Sequence, residues 1–418
     1  MILTYYWPPS GGSGVQRWMY FAKHLKQLGW EPIVITVDEN KASYSVFDTS
    51  LNSEVNNIRV IKTKTREPLQ WYSILTTGSK QKGIPQGEIK KKSILGKLAA
   101  FIRGNFFIPD ARVGWVPFAL QAARKTIIEE GIKQIITTGP PHSSHLIGLQ
   151  LQKEFSLEWF VDFRDPWSDL FYNQDLYRLP RAVSKDLKLE KEVLLAASGV
   201  ITTVGGVLHA NLESKAQNQK FYNIPNGYDA ELMDAVVAEK ENDVFHVVYT
   251  GLLTRNQSYT TVFNILNELA INQSIRLSLA GNISSDIIEE IKDRFANIDV
   301  IYKGYLSHRE AIHLMKSAHI LLNFIFVGAQ TQMISGKILE YLATEVPLLS
   351  IGKSDSDAAK FIEQGSASVM FEVEDTESIR VFIEQVQSKK GRLKNKFPKI
   401  DQWSRSNLTR RLMEEVLS

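Results

Sequence analysis

The chain has 418 residues, of which 44% are hydrophobic and 23% charged, and its 49 basic and 46 acidic side chains leave a net charge of +3. This length accommodates two domains, and this balance is that of a globular protein whose charge gives no argument for a nucleic-acid partner. The absence of cysteine excludes disulfides and thiolate metal sites, and no uninterrupted run of 18 apolar residues offers a membrane-crossing helix.

No basic segment followed by an apolar one opens the chain, so a cytoplasmic protein is expected. Residues 2–6 read as a strand, followed by Trp-Pro-Pro-Ser-Gly-Gly-Ser-Gly at 7–14. Val15, Trp18, Met19, Ala22, Leu25 and Leu28 then recur with helical period, Gly29 ends that helix, and residues 33–37 form a second strand. The unit is β-loop-α-β, but Gly11, Gly12 and Gly14 lack the dinucleotide spacing; a tight turn and a phosphate cradle suit them equally.

Between Lys80 and Arg103 stand seven basic residues and one acid, Glu88. Ile94, Leu95, Leu98, Phe101 and Ile102 share one helical face, and Phe106, Phe107 and Ile108 continue the apolar character. Two readings are open for residues 80–108: a core helix behind a solvated basic loop, or a basic amphipathic helix on an anionic membrane surface.

Two strands follow, at 132–138 and 159–163, and both end in polar motifs: Gly-Pro-Pro-His-Ser-Ser-His at 139–145 and Arg164-Asp165-Pro166-Trp167. Open α/β sheets bind ligands at the carboxyl ends of their strands, which makes His142 and Asp165 candidate catalytic groups. A histidine exchanges protons near neutrality, and Asp165 can orient it or hold an acceptor hydroxyl. The same residues also suit structural tasks, a helix cap for His142 and a loop anchor for Asp165. His145, one turn into the helix, is expected to be structural.

A helix ending near Ala197, a strand at 199–204 and the turn-rich Asn223-Ile-Pro-Asn-Gly-Tyr-Asp229 lead into the second half. There an apolar strand at 245–250 runs into Gly251-Leu-Leu-Thr-Arg-Asn256, where the Arg255 guanidinium could fork onto phosphate oxygens or lie free in solvent. Strands at 275–280, 300–301 and 320–324 continue the alternation with helices that marks a parallel sheet. A last helix is expected over 401–418.

The stretch from Gln332 to Gly352 carries the most chemistry. Ser335 is a candidate N-cap; Ile338, Leu339, Leu342 and Ala343 make a buried stripe; Pro347 opens the apolar strand 348–351. Lys337 and Glu340 are three apart beside the helix start, where free amides favour an anion. A cation for phosphate and a carboxylate one turn deeper for hydroxyls make a receptor for a sugar nucleotide; an ordinary surface ion pair is the other reading.

This stretch resembles the C-terminal signature of the GT4 family of retaining glycosyltransferases, which have the GT-B fold. Glu340, Val346 and Pro347 match the family's second glutamate and following strand, while the first glutamate's place is taken by Gln332. Residues 5–17, the Gly-Pro-Pro-His motif, Asp162-Phe-Arg-Asp-Pro-Trp167 and the Pro-Asn-Gly linker at 225–227 are similar to one branch of the same family. The resemblance implies two Rossmann-like parallel-sheet domains facing a cleft. They are expected over 1–205, on the acceptor side, and 206–400, on the nucleotide-sugar side, with the helix 401–418 crossing back to the first. It implies transfer of a sugar from a nucleotide-sugar, with UDP favoured, to a saccharide or polyprenyl-linked acceptor in cell-surface polysaccharide synthesis. No metal or other cofactor is expected, because Arg255, Lys337 and the helix start do the electrostatic work. The donor site would comprise Gly11, Gly12, Arg255, Gln332, Ser335, Gly336, Lys337 and Glu340, with Glu340 on the ribose. A GT-B sugar-nucleotide epimerase and a non-catalytic nucleotide-sugar-binding or assembly protein are the alternatives, the latter because Gln332 carries no charge and no second phosphate lysine follows Arg255.

Overall fold

The central runs of branched and aromatic residues that read as strands, such as 33–37 and 320–324, are buried on both faces, as helix-covered parallel strands must be, while the edge run 299–302 is partly exposed. The computed structural model describes residues 1–44, 46–67, 94–169, 173, 176–203, 206–327 and 336–418. The first sheet contains β1 (Ile2–Leu3), β2 (Ile33–Val37), β3 (Arg59–Thr63), β4 (Gln134–Gly139), β5 (Glu158–Phe163), β6 (Gly199–Thr202) and β7 (Phe221–Asn223) in the spatial order 3-2-1-4-5-6-7. The second contains β8 (Phe245–Thr250), β9 (Ile275–Ala280), β10 (Asp299–Tyr302), β11 (Ile320–Phe324), β12 (Leu348–Ile351) and β13 (Ser368–Phe371) in the order 10-9-8-11-12-13. All pairings are parallel. Each sheet therefore reverses its winding once, beside its first strand: between β1 and β4, and between β8 and β11. Two Rossmann-like doubly wound sheets, the fold class expected from the sequence, are the fold of the protein.

The first strand is shorter than the expected 2–6. Its ladder holds Ile2 and Leu3 only. Beyond it the Tyr5 carbonyl is taken by side chains, the Tyr44 hydroxyl at 2.9 Å and the Thr36 hydroxyl at 3.1 Å.

Contacts divide the chain into two compact units, Met1–Pro225 with Thr409–Ser418, and Asn226–Leu408. The boundary expected at 205/206 falls at 225/226, because β7 pairs with β6 and extends the first sheet. The expected last helix is broken into a turn, Ile400–Trp403, the helix Arg405–Leu412 and a wider π-helical turn, Met413–Leu417. The two ends of the second unit are clasped to each other: Tyr228 N donates to Trp403 O at 3.2 Å, and Arg405 N to Tyr228 O at 2.8 Å.

The helix Ile94–Phe106 resolves only part of the open reading for residues 80–108, since 80–93 lie outside the described residues. It packs through small residues, Gly96, Ala100 and Gly104. A Cβ on Gly104 would lie 2.6 Å from Leu176 O, so the approach there is backbone to backbone. Leu98 and Ile102, which the core-helix reading would bury, are exposed instead.

Candidate functional site

At the reversal point of the second sheet, β8 ends at Thr250 and turns into Gly251, and β9 ends at Ala280 and turns into Gly281. Gly281 has a φ of 119°, and a Cβ there would stand 2.3 Å from Gly251 O, so only glycine lets these two strand ends touch. Against them lies the helix Ile338–Ala343. Its buried Ile338, Tyr341 and Leu342 pack beneath, and the Tyr341 hydroxyl takes the Thr250 N–H at 2.8 Å.

Lys337 is the N-cap residue of that helix. The start expected near Ser335 is later, and Gln332 and Ser335 lie outside the described residues. The later start has a tertiary cause: the Lys337 ammonium sits 3.7 Å over the Tyr249 ring and donates to Thr250 O at 3.0 Å, beside Gly251. Burial lowers its pKa to about 7. With six residues the helix has little dipole, so any attraction for an anion here comes from the cationic side chain rather than the helix end. Gly336 precedes it, exposed, with Asn226 Nδ2 3.4 Å from where its Cβ would stand.

Glu340 does not pair with Lys337. His308 Nε2 donates to its Oε1 at 2.8 Å, and Arg405 Nη2 to the same oxygen at 3.1 Å. Burial would raise this carboxyl, but the two neighbours outweigh it and hold the pKa at about 2. Oε2 has no partner among the described residues, and the side chain is 15% exposed. Glu340 is thus a fixed, ionised acceptor with one oxygen to offer. His308 and Arg405 were not identified from the sequence. They stand 32 and 65 positions away, at the start of the helix His308–Lys316 and in the closing segment of the unit.

Arg255 points away from this group. It is 56% exposed and paired with Asp286, at 3.0 Å, and Glu290 on the helix Ser285–Arg294. Exposed pairs of this sort are worth about 0–1 kcal/mol, so a better anion could displace them.

At the reversal point of the first sheet the charges are spent on the protein. Arg17 donates to both oxygens of Asp162, with a shortest contact of 2.8 Å, and to Pro225 O at 2.8 Å; Trp18 and Thr138 fill the remaining capacity of the carboxylate. Arg164 donates to the carbonyls of Gly14, Gly139 and Pro140, which ties the glycine loop to the end of β4. Gly11 N bonds Val46 O at 2.9 Å, while Gly12, with a φ of 90°, starts the helix Ser13–Gln27 with open space where a Cβ would be.

His142 is buried in this unit. Its ring stacks on Trp167 at 5.1 Å, and its Nε2 bonds Pro166 O at 3.1 Å. Burial, reinforced by His145, drives its pKa well below the usual value, so it is a neutral ring that donates to Pro166. This geometry gives His142 a holding task. The cap it was expected to supply comes from Asp110, which accepts from Ser143 N at 2.8 Å. His145 is structural as expected, its Nδ1 on the Thr137 hydroxyl at 2.8 Å. Asp165 differs from its neighbours. It is partly exposed and has no hydrogen-bond partner among the described residues. Burial raises its pKa against the pull of Arg164, and Asp162 adds to the rise.

No protein-family model and no curated protein matches the sequence. Solved structures do match over nearly the whole chain. Sucrose-phosphate synthase from Thermosynechococcus elongatus superposes with a TM-score of 0.66 at 15% identity, covering 99% of this chain and 97% of its own. A glycosyltransferase from Rickettsia africae gives 0.64 at 14%, covering 99% and 97%. HepE of Anabaena, in complex with UDP and glucose, gives 0.64 at 13%, covering 100% and 99%. The chain shares the fold of these proteins.

Proposed function

We propose that the protein is a retaining glycosyltransferase. In this reading it takes a hexosyl or hexosaminyl group from a nucleotide-diphosphate sugar, a UDP-sugar by preference, and acts without a metal cofactor. The acceptor is a saccharide or a polyprenyl-linked saccharide in cell-surface polysaccharide synthesis, met on the cytoplasmic side of the membrane. The observation that carries the reading is the six-residue helix at the reversal point of the second sheet, which offers Lys337 and Glu340 as two separately held charges. The Anabaena protein of the same fold is described in complex with UDP-glucose, which supports the choice of donor.

In this reading the Lys337 ammonium meets the diphosphate and Glu340 Oε2 accepts from the ribose hydroxyls. Arg255 exchanges its exposed carboxylates for phosphate, and Gln332, Ser335 and Gly336 complete the donor side. As the bond from the sugar to the diphosphate breaks, positive charge develops at the sugar. The acceptor oxygen bonds to that carbon from the same face, and its proton passes to the departing phosphate oxygen. Asp165, in the first unit, is the group assigned to the acceptor hydroxyl. Asp165→Asn should therefore lower kcat and leave donor affinity unchanged.

The test is calorimetric titration with UDP, GDP, ADP and CMP, first without metal and then with magnesium. UDP binding without metal, followed by acceptor-dependent turnover of a UDP-sugar, is the expected result. A folded protein that binds none of the four overturns the reading. Binding without turnover favours the non-catalytic alternative that Gln332 motivates, and release of a free isomerised UDP-sugar identifies an epimerase.

A further inference from the structure

Some exposed large apolar residues of the first unit, among them Leu28, Phe47 and Ile128, lie apart, but six fall in two regular series. On the helix Ile94–Phe106 they are Leu98, Ile102 and Phe106, spaced four apart, with Phe106 72% exposed. At and beyond the start of the helix Pro180–Ala196 they are Leu179, Val183 and Leu187, again four apart, with Leu179 49% exposed. Residues four apart lie on one face of a helix, so each set is a ridge. The ridges are joined. Asn105 accepts from Leu179 N at 2.7 Å through Oδ1 and donates to Tyr177 O at 3.1 Å, and Tyr177 is itself exposed. The small residues Gly96, Ala100 and Gly104 are buried on this helix, while Leu98, Ile102 and Phe106 are exposed.

The charges on the ridge segments are mostly basic. Residues 94–109 and 176–189 contain Lys97, Arg103, Arg181, Lys185 and Lys188 beside Arg178. Their single acid, Asp186, is buried on Trp167 and Arg178. The next acids along that helix are Glu190, buried on Ser168 and Lys215, and Glu192, which stands 3.9 Å from Lys188. A protein partner matched to such a face would need an apolar surface rimmed with acids. An anionic bilayer provides both features by its construction: hydrocarbon for short apolar side chains and headgroup phosphates for the basic ones around them.

We propose that the double ridge Leu98–Ile102–Phe106 and Leu179–Val183–Leu187, with its basic surround, seats the first unit on an anionic lipid surface. This gives a physical location to the lipid-linked reading of the acceptor. It rests on a surface separate from Lys337 and Glu340, so vesicle binding and nucleotide binding fail independently.

The test is flotation of the full chain with vesicles of phosphatidylglycerol and phosphatidylcholine, and with phosphatidylcholine alone, at low and high salt. Binding to the anionic vesicles that weakens with salt is expected. Phe106→Ser combined with Leu179→Ser, and separately Arg181→Glu combined with Lys185→Glu, should each reduce it by about tenfold or more. These side chains are exposed, so thermal melting and UDP titration should match the parent and show that a loss of binding is not a loss of fold. Failure of the parent chain to float with anionic vesicles at low salt overturns the proposal. So does binding that both double variants retain. A dimer that Phe106→Ser with Leu179→Ser converts to monomer, without vesicle binding by either form, assigns the face to a second copy instead.

Discussion

The two sheets wind in the same order around their first strands and reverse at the same place, yet their reversal points are chemically unlike. In the first unit, Arg17, Asp162 and Arg164 satisfy one another or nearby carbonyls, and His142 is stacked under Trp167. In the second, Glu340 shows its partners one oxygen and keeps the other, and Lys337 holds a proton so weakly that a neighbouring anion would decide its charge. Topology thus gives an address, and the local pairing of charge decides whether a ligand can use it. Asp165 is the one group at the first address that shares the second's character, raised by burial and without a partner among the described residues.

The contrast breaks most visibly at the buried pair. Asp162→Asn leaves Arg17 without its counter-charge in a buried position, which should cost about 3–5 kcal/mol of stability, read as a lower urea midpoint for the first unit. UDP titration below that midpoint should be unchanged, because the groups proposed for the nucleotide belong to the other unit. A loss of UDP affinity with no loss of stability would reverse the assignment of the two sites. Next in size is Glu340→Ala. Removal of a charged acceptor from the ribose should weaken UDP binding by about 1.5–3 kcal/mol, or about 10- to 100-fold, and raise the donor KM. Undiminished donor affinity and turnover would remove Glu340 from the site.

Smaller again is a pH effect. Lys337 alone has a pKa of about 7, and a bound diphosphate favours its charged form, so the complex has the higher pKa. The gain in affinity is therefore full below pH 7 and is lost as pH rises through 7 towards the pKa of the complex. UDP affinity should fall by up to about tenfold per pH unit over that window, and Lys337→Met should flatten the slope. The same shift destabilises the folded chain as pH falls from 10.5 to 7, where the unfolded lysine is charged and the folded one is not. The smallest effect is Arg255→Ala, within about 1 kcal/mol for stability because its pairs are exposed, with a rise in donor KM only if Arg255 leaves them for phosphate.

Most strands of both sheets were legible from apolar runs alternating with helices, because a parallel strand between helices leaves little choice of residue, but β3, β7 and β13 were not. Lys337 and Glu340 were legible as charges close to a helix start. Their use was not. The N-cap propensity of Ser335 is local, whereas Lys337 is placed by Tyr249 and Thr250, some 87 positions earlier in the chain. Glu340 is held by residues on two other segments, which no spacing rule brings together. His142 shows the reverse difficulty: the strand-end rule located its backbone correctly but says nothing about the direction of the ring, which Trp167 and Pro166 determine. The helix Ile94–Phe106 was read for its large residues, and its small ones govern the packing.

The clasp between Tyr228 and the segment Trp403–Arg405 has a consequence for the order of events during synthesis. The second unit is an insertion within the first, and its ends are joined by hydrogen bonds of its own. Once residue 408 has been made it has every part it needs. The first unit, begun earlier, lacks Leu412, Val416 and Leu417, which are buried in the structure, until translation has passed through the whole insertion. The unit translated first is therefore the last to be completed, and a nascent chain stalled before residue 409 would carry a finished second unit beside an unclosed first.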